Sequence, residues 1–315
     1  MTTSRLFIIV PCYNEEEVLP WAAEKLLNKL NDLVKEEKIQ NDSRIVFVND
    51  GSKDQTWPII KQLHNENIHY SGINLSRNRG HQNALLAGIL TCQSEFDCCI
   101  SIDADLQDDI DAIDTMIDKF DAGNDIVYGV RSNRETDTFF KRFTAQSFYR
   151  FMNVLGANTV YNRADFRLMI RRAVEGLSEF KEKNLFLRGI VPMIGYPTAT
   201  VEYARKPRTA GESKYPLSKM VSFAMEGITS LSVKPLRMIA SLGGIISAVS
   251  IFFFFYAVVR YFRGETVSGW SSLMVSVWAI GGLIMLSLGV VGEYIGKIYL
   301  ETKDRPRYLV QEYLK

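Results

Sequence analysis

The sequence predicts an α/β fold with a mostly parallel sheet, followed by an amphipathic helix and a two-helix transmembrane hairpin. Three observations carry this. Short continuous apolar runs, such as Leu6-Phe7-Ile8-Ile9-Val10, alternate with stretches of helical periodicity, the pattern of βαβ units. Polar and acidic residues follow those runs, where open α/β sheets bind ligands beyond the carboxyl ends of their strands. Beyond Lys234 lie two long stretches almost without charge. A net charge of +1 over 315 residues excludes a nucleic-acid binder driven by bulk charge. Cys12, Cys92, Cys98 and Cys99 lack metal-site spacing and are expected to be inert buried thiols in a reducing compartment. His64, His69 and His81 are too scattered for a histidine-based metal site. The chain runs from Met1 straight towards a strand, so no signal peptide is expected.

In order, the first strand spans 6–10 and is expected to stop at Pro11, which has no N–H to donate. The loop Cys12-Tyr13-Asn14-Glu15-Glu16-Glu17 then opens a helix carrying Leu19, Trp21, Leu26, Leu27, Leu30 and Val34 at helical spacing. A second strand, 44–48, ends in Asn49-Asp50-Gly51-Ser52. A third, Ile73-Asn74-Leu75, leads through Ser76-Arg77-Asn78-Arg79-Gly80-His81-Gln82 into an apolar helix over 83–90. The fourth, 98–102, delivers Asp103, Asp105 and Gln107 just past its end. Their hard oxygens suit Mg²⁺ or Mn²⁺, with substrate phosphates and water completing the shell. An acidic turn capping a helix near Asp109 reads the same residues without a ligand. Right-handed crossovers place all these loops along one sheet edge.

Taken together, Val10-Pro11-Cys12-Tyr13-Asn14-Glu15, Val48-Asn49-Asp50-Gly51-Ser52 and Asp103-Ala104-Asp105 resemble the nucleotide-sugar half of a family 2 glycosyltransferase of the GT-A, Rossmann-like fold. The resemblance implies that Pro11, Tyr13, Glu15 and Asp50 hold base and ribose. It places Asp103 near ribose and diphosphate, and gives Asp105 and Gln107 to a divalent metal, Mg or Mn. Asn49 stands where many relatives carry a second Asp. The segments 76–84 and 103–108 narrow the likeness to the polyprenyl-phosphate glycosyltransferases, including dolichol-phosphate mannose synthases and bactoprenol glucosyltransferases. Arg79, where relatives often carry an aromatic, faces either solvent or a phosphate.

Val127-Tyr128-Gly129-Val130-Arg131 reads as a strand ending in a cation, and Arg134, Lys141 and Arg142 continue a basic stretch into a helix over 139–155. Such a stretch is either a solvated face or a set of phosphate ligands, since guanidinium matches phosphate bidentately; Arg131 is the leading site member. Arg163-Ala164-Asp165-Phe166-Arg167-Leu168 is a surface ion-pair cluster on the bland reading. It also resembles the family's Asp-Phe-Arg-Leu segment, which makes Asp165 the candidate catalytic carboxylate. A phosphate monoester has a second pKa of about 6, so a lipid phosphate has little proton to surrender at neutral pH. Asp165 then either acts as a base, orients a sugar hydroxyl, or stabilises positive charge at the anomeric carbon. After a helix and β-ribbon over 186–203, the basic run 205–215 contains Arg208, Ser213 and Lys214. This run is a juxtamembrane linker or, by the resemblance, a loop that closes over the site with those three residues on phosphate.

Residues 1–212 are thus expected to form a cytoplasmic catalytic domain and 213–235 an amphipathic helix at the membrane surface. The hairpin 236–293 holds spans 236–259 and 270–292, each long enough for the roughly 20 residues a crossing needs. Residues 294–315 are expected to be a cytoplasmic tail. Cations lie mostly before and after the hairpin, so both termini are assigned to the cytoplasm by the positive-inside rule. Gly243, Gly244, Gly281, Gly282, Gly289 and Gly292 would allow close helix packing, including in a homo-oligomer. The function expected is inverting, metal-dependent transfer of one hexose, first choice glucose from UDP-glucose, to undecaprenyl phosphate. UDP-N-acetylglucosamine, UDP-galactose or GDP-mannose as donor, a processive polysaccharide synthase, and a non-catalytic membrane scaffold are the alternatives. Partners then comprise the nucleotide sugar, the polyprenyl phosphate lipid, the membrane and a small flippase, but no nucleic acid.

Overall fold

The computed structural model describes residues 3–131, 163–183, 186–204, 229, 232–263 and 269–315. The chain divides into two compact units, one built on a sheet and one on two long helices.

The sheet unit contains β1 (Leu6–Cys12), α1 (Leu19–Lys35), β2 (Arg44–Asn49), α2 (Thr56–Glu66), β3 (Tyr70–Leu75), α3 (His81–Thr91), β4 (Cys98–Ser101), α4 (Ala112–Asp121), β5 (Ile126–Arg131), β6 (Arg163–Ile170), α5 (Arg171–Ser178), α6 (Leu187–Met193), β7 (Thr198–Tyr203) and β8 (Val310–Leu314). Its eight strands run in the order β7-β5-β6-β4-β1-β2-β3-β8. β1 pairs in parallel with β2 and β4, β2 with β3, and β5 with β7. Against them run β6, antiparallel to β4 and β5, and β8, antiparallel to β3. The expected α/β sheet is present, and two reversed strands make it mixed.

Period-two alternation splits β1 between two cores. Leu6, Ile8 and Val10 pack with Leu19, Leu26 and Leu30 of α1 and Met116 of α4 on one face. Phe7 and Ile9 pack with Leu85, Leu86 and Ile89 of α3, Val174 of α5 and Ile190 of α6 on the other. Burying each such side chain contributes about 1.5–3 kcal/mol. Gly88 brings α3 close to the sheet, since a Cβ there would lie 2.5 Å from Ile9 Cγ2 and 2.6 Å from Val48 Cγ2.

Four expectations are corrected. β1 does not stop at Pro11: Pro11 pairs with Val48 and Cys12 with Asn49, while pairing with β4 ends at Ile9–Ser101. Pro11 therefore borders a ladder on one side alone, where its missing N–H is tolerated. The helix after β4 starts at Ala112, not near Asp109, with no side-chain hydrogen bond at its cap. Residues 186–203 do not form a ribbon: after α6, β7 joins β5 in parallel from Ile126–Thr198 to Arg131–Tyr203, and parallel neighbours need a crossover rather than a hairpin. Residues 294–315 are not one tail. The second long helix runs on to Thr302, and β8 closes the sheet with Gly72 opposite Leu314 and Ile73 opposite Tyr313. Tyr313 Oη meets Cys92 Sγ at 3.3 Å and donates to Glu95 Oε1 at 3.2 Å. All four cysteines are free and buried, as expected, and burial pushes their thiols up.

The helical unit contains α7 (Lys234–Phe262) and α8 (Trp270–Thr302). Lys234–Arg260 and Val275–Thr302 are long and apolar enough to cross a membrane. Their large apolar side chains, among them Phe252, Phe255, Val275 and Leu286, are exposed. Tyr294 Oη of α8 donates to the Ser232 carbonyl at 2.6 Å. The basic helix expected over 139–155 lies outside the described residues, as do the run 205–215 and, save residues 229 and 232–235, the amphipathic helix over 213–235.

Candidate active site

The parallel strands β1, β2, β3 and β4 end along one edge, and their loops are laced together there. Asp50 N–H donates to the Cys12 carbonyl at 2.9 Å. Asn14, in the left-handed region at φ 54°, donates its N–H to Ser52 Oγ at 3.0 Å, and its Oδ1 accepts the Lys53 N–H at 3.0 Å. Glu15 N–H reaches Thr56 Oγ1 at 2.9 Å. A cavity of about 500 Å³ opens against this seam, lined by Glu15, Glu17, Lys53 and Asp54 among others. Tyr13 stands exposed beside it, while Pro11 is buried. Asp50 is also buried, its carboxylate accepting the N–H groups of Arg79 at 2.7 Å and Gly80 at 2.8 Å. Burial raises its pKa against those two bonds. Asp50 thus ties the 76–80 loop to β2. Asn49, also buried, gives its Nδ2–H to Asn74 Oδ1 at 2.7 Å, a bond an Asp in the same place has no hydrogen to make.

Past β4, Asp105 Oδ1 accepts the Gln107 N–H at 3.3 Å. Gln107 is buried, and its Nε2 has no hydrogen-bond partner among the described residues. One carboxylate and one amide two residues apart offer hard oxygens, a donor set with which Mg²⁺ or Mn²⁺ meets protein when phosphates complete its shell. The residues fit such an ion. No cluster of three or more His, Cys, Asp or Glu with metal-site geometry occurs among the described residues.

Asp165 reaches the same edge because β6 runs antiparallel to β4, with Ser101 opposite Arg167. Ser101 Oγ donates to the Asp165 carbonyl. The Asp165 carboxylate, 14% exposed, is gripped by two guanidiniums. Arg167, only 2% exposed, donates to Oδ1 at 2.7 Å. Arg188 of α6, 40% exposed, donates to Oδ2 at 3.0 Å and Oδ1 at 3.3 Å. Burial opposes ionisation of Asp165, but Arg188 and Arg167 outweigh it and draw the carboxyl down to about 2. Asp103 Oδ1 meets His81 Nε2 at 2.9 Å. Burial works against the imidazolium, yet the bond to Asp103 raises the His81 pKa. Arg131 donates to Asp108 Oδ1 at 3.2 Å and Tyr203 Oη at 3.3 Å, and Tyr203 Oη donates to Asp108 Oδ1 at 2.6 Å.

Of the expected residues, Pro11, Tyr13, Glu15, Asp50, Asp103, Asp105, Gln107, Arg131 and Asp165 all belong to the sheet unit, most of them in loops at strand ends. Arg134, Arg208, Ser213 and Lys214 lie outside the described residues. His81, Arg188, Asp108 and Tyr203 were not singled out from sequence. The Asp108–Asp109 carboxylates and the histidine opening α3 were visible there. Nothing local marked Arg188, which is brought in by the reversal at β6.

The fold and site define a mixed α/β protein with carboxylates gathered at one sheet edge. The profile described as glycosyl transferase family 2 matches residues 7–177. A Bacillus subtilis (strain 168) protein described as uncharacterized glycosyltransferase YkoT is 51% identical over 305 residues, covering 97% of this chain and 90% of its own. The bactoprenol glucosyl transferase of Shigella phage SfX is 40% identical over 309 residues, covering 98% and 99%. Glucosyl-3-phosphoglycerate synthase from Mycobacterium tuberculosis, solved with Mn²⁺, UDP-glucose and phosphoglyceric acid, aligns at 14% identity and TM-score 0.47 over 72% and 78% of the two chains. The chain belongs to glycosyl transferase family 2.

Proposed function

We propose that this enzyme transfers one hexose, glucose from UDP-glucose in the first instance, to the phosphate of a membrane polyprenyl phosphate with inversion. The observation that carries the acceptor and the sugar is near full-length similarity to proteins named bactoprenol glucosyl transferase. Tyr13 and Glu15 hold base and ribose, Asp50 positions the 76–80 loop around them, and Asp103 faces ribose and diphosphate. Asp105 and Gln107 hold the divalent ion, which when bound neutralises the leaving diphosphate. The acceptor oxygen attacks the anomeric carbon on the face opposite the departing diphosphate, so an α-linked donor gives a β-linked lipid product.

Asp165 does not serve as the general base on this reading. A carboxylate held at about 2 is a weak base, and an acceptor phosphate with a second pKa of about 6 is already ionised at neutral pH. Asp165 acts as a fixed negative charge, and Arg131 compensates developing phosphate charge. Arg134, Arg208, Ser213 and Lys214 complete the phosphate contacts. The two long helices form a hairpin through the cytoplasmic membrane with both termini inside. The return of the chain to the sheet at β8 supports an even number of crossings. Assembly through the glycine-bearing helix faces and delivery of the lipid-linked sugar to a flippase belong to the same reading.

The test is transfer of radiolabelled sugar from UDP-glucose, UDP-N-acetylglucosamine, UDP-galactose and GDP-mannose to undecaprenyl phosphate, with Mg²⁺, Mn²⁺ or chelator. A metal-dependent, chloroform-soluble product from UDP-glucose is expected. Product from another donor corrects the sugar, and absence of lipid product from all four overturns the acceptor.

A further inference from the structure

β7 ends in a tyrosine that belongs to the core by its ring and to the site by its hydroxyl. Arg131 and Tyr203 are partners in the parallel ladder of β5 and β7, so their side chains leave the sheet on the same face. The buried Tyr203 ring packs edge-on against Phe166, with centroids 5.4 Å apart. Its hydroxyl donates to Asp108 Oδ1 at 2.6 Å and accepts from Arg131 Nε at 3.3 Å. A terminal nitrogen of Arg131 donates to the same Asp108 oxygen at 3.2 Å, which closes a triangle of phenol, carboxylate and guanidinium. Asp108 is only 3% exposed, and a carboxylate so buried depends on such donors. Burial pushes the Tyr203 phenol well up, so it remains a donor across the neutral range. Arg131, 30% exposed, thus has two of its nitrogens held by two acceptors that are themselves fixed, which sets the plane of its guanidinium. An unheld arginine loses rotamer freedom on meeting a ligand; a held one has lost it beforehand.

We propose that Tyr203 is a positioning residue of the transfer reaction: its hydroxyl, together with Asp108, aims the Arg131 guanidinium at the phosphate on which charge develops as the sugar departs. This rests on the reading above that Arg131 compensates that charge. Preset orientation is what makes such a cation effective in a transition state, because nothing has to reorganise when the charge appears. The ring of Tyr203 would serve the core equally well as phenylalanine; the oxygen is the part that the site uses.

The full-length protein in detergent is compared with Tyr203→Phe, using UDP-glucose, undecaprenyl phosphate and saturating Mn²⁺. The substitution removes one oxygen and keeps the ring against Phe166, so the thermal midpoint is expected to hold. The kcat is expected to fall about tenfold to a hundredfold, the scale of a misplaced catalytic group, with both KM values within about twofold. Asp108→Asn, which removes the charge that holds Arg131, is expected to lower kcat in the same way and carries the comparison if the Phe variant melts early. A smaller folded fraction would also lower kcat, so the deciding measurement is a double-substitution cycle. In an Arg131→Ala background, Tyr203→Phe is expected to change kcat by less than about twofold, since the group it aims is gone. An equal fall in both backgrounds means that the hydroxyl acts on something other than Arg131, and the proposal is overturned. Wild-type kinetics in Tyr203→Phe overturn it too, while leaving the reading of Arg131 in place. Wild-type kinetics in Arg131→Ala remove Arg131 from the reaction and the proposal with it. Full recovery of the Tyr203→Phe rate at higher Mn²⁺ would place the hydroxyl's effect on the 105–107 loop and overturn it as well.

Discussion

At the scale of single residues, the ion-pair group around Asp165 joins a buried charge pair to the proposed site. Replacing Asp165 by Asn leaves the buried Arg167 guanidinium without its counter-charge. A loss of about 3–5 kcal/mol is expected for a buried pair broken on one side, read as an earlier urea midpoint, with transfer abolished. The acid side follows from linkage. The folded carboxyl sits at about 2, below the 3.8 of an unperturbed aspartate. Its stabilisation is therefore complete above about pH 5 and is lost as pH falls through 4 towards 2. A shift of that size is worth on the order of 2 kcal/mol. Urea unfolding of the wild type between pH 6 and 2.5 should show this loss, and Asp165→Asn should show a shallower one.

Individual elements position these residues, and some were legible in sequence while others were not. β1, β2 and β4 were plain because each is buried on both faces and reads as an unbroken apolar run. β8, Val-Gln-Glu-Tyr-Leu, is a half-exposed edge strand whose pattern does not stand out from a polar tail. Asp103, Asp105 and Asp165 were legible through short motifs, whereas their meeting depends on the antiparallel return of β6, which periodicity cannot express. The Pro11 expectation failed for a related reason: whether a missing N–H matters depends on where the neighbouring strand ends. Gly51 tests the loop scaffold. Its φ is +64°, and a Cβ would come within 2.5 Å of the Arg77 carbonyl carbon and the Asn78 nitrogen. Gly51→Ala is expected to cost about 1–3 kcal/mol of strain and to raise the donor KM, since the 76–80 loop must move away from Asp50. Removing 306–315 should uncover β3 and leave Cys92 without Tyr313 over it. Maleimide labelling under native conditions should then modify Cys92 while Cys12, Cys98 and Cys99 stay protected.

For the whole molecule, a sheet unit that takes a soluble nucleotide sugar and a helical unit with two membrane-capable helices suit a reaction between a water-borne donor and a lipid-borne acceptor. The proposed topology has a direct check. In sealed right-side-out vesicles, an impermeant thiol reagent should label Thr266→Cys in the connector and leave Lys315→Cys unlabelled until the vesicles are opened. Labelling of both, or of Lys315→Cys alone, would overturn the two-span arrangement with cytoplasmic termini.

The eighth strand also imposes an order on biosynthesis. β3 is made early, but its edge partner follows both long helices in the chain. The nascent chain therefore carries an open β3 edge until β8 has emerged. A chain interrupted anywhere before Val310 keeps that edge uncovered, a ready template for aggregation or for quality-control proteases. Synthesis of the helical unit is thereby registered in the sheet itself, since β3 is covered only in chains that have passed through both long helices and reached β8.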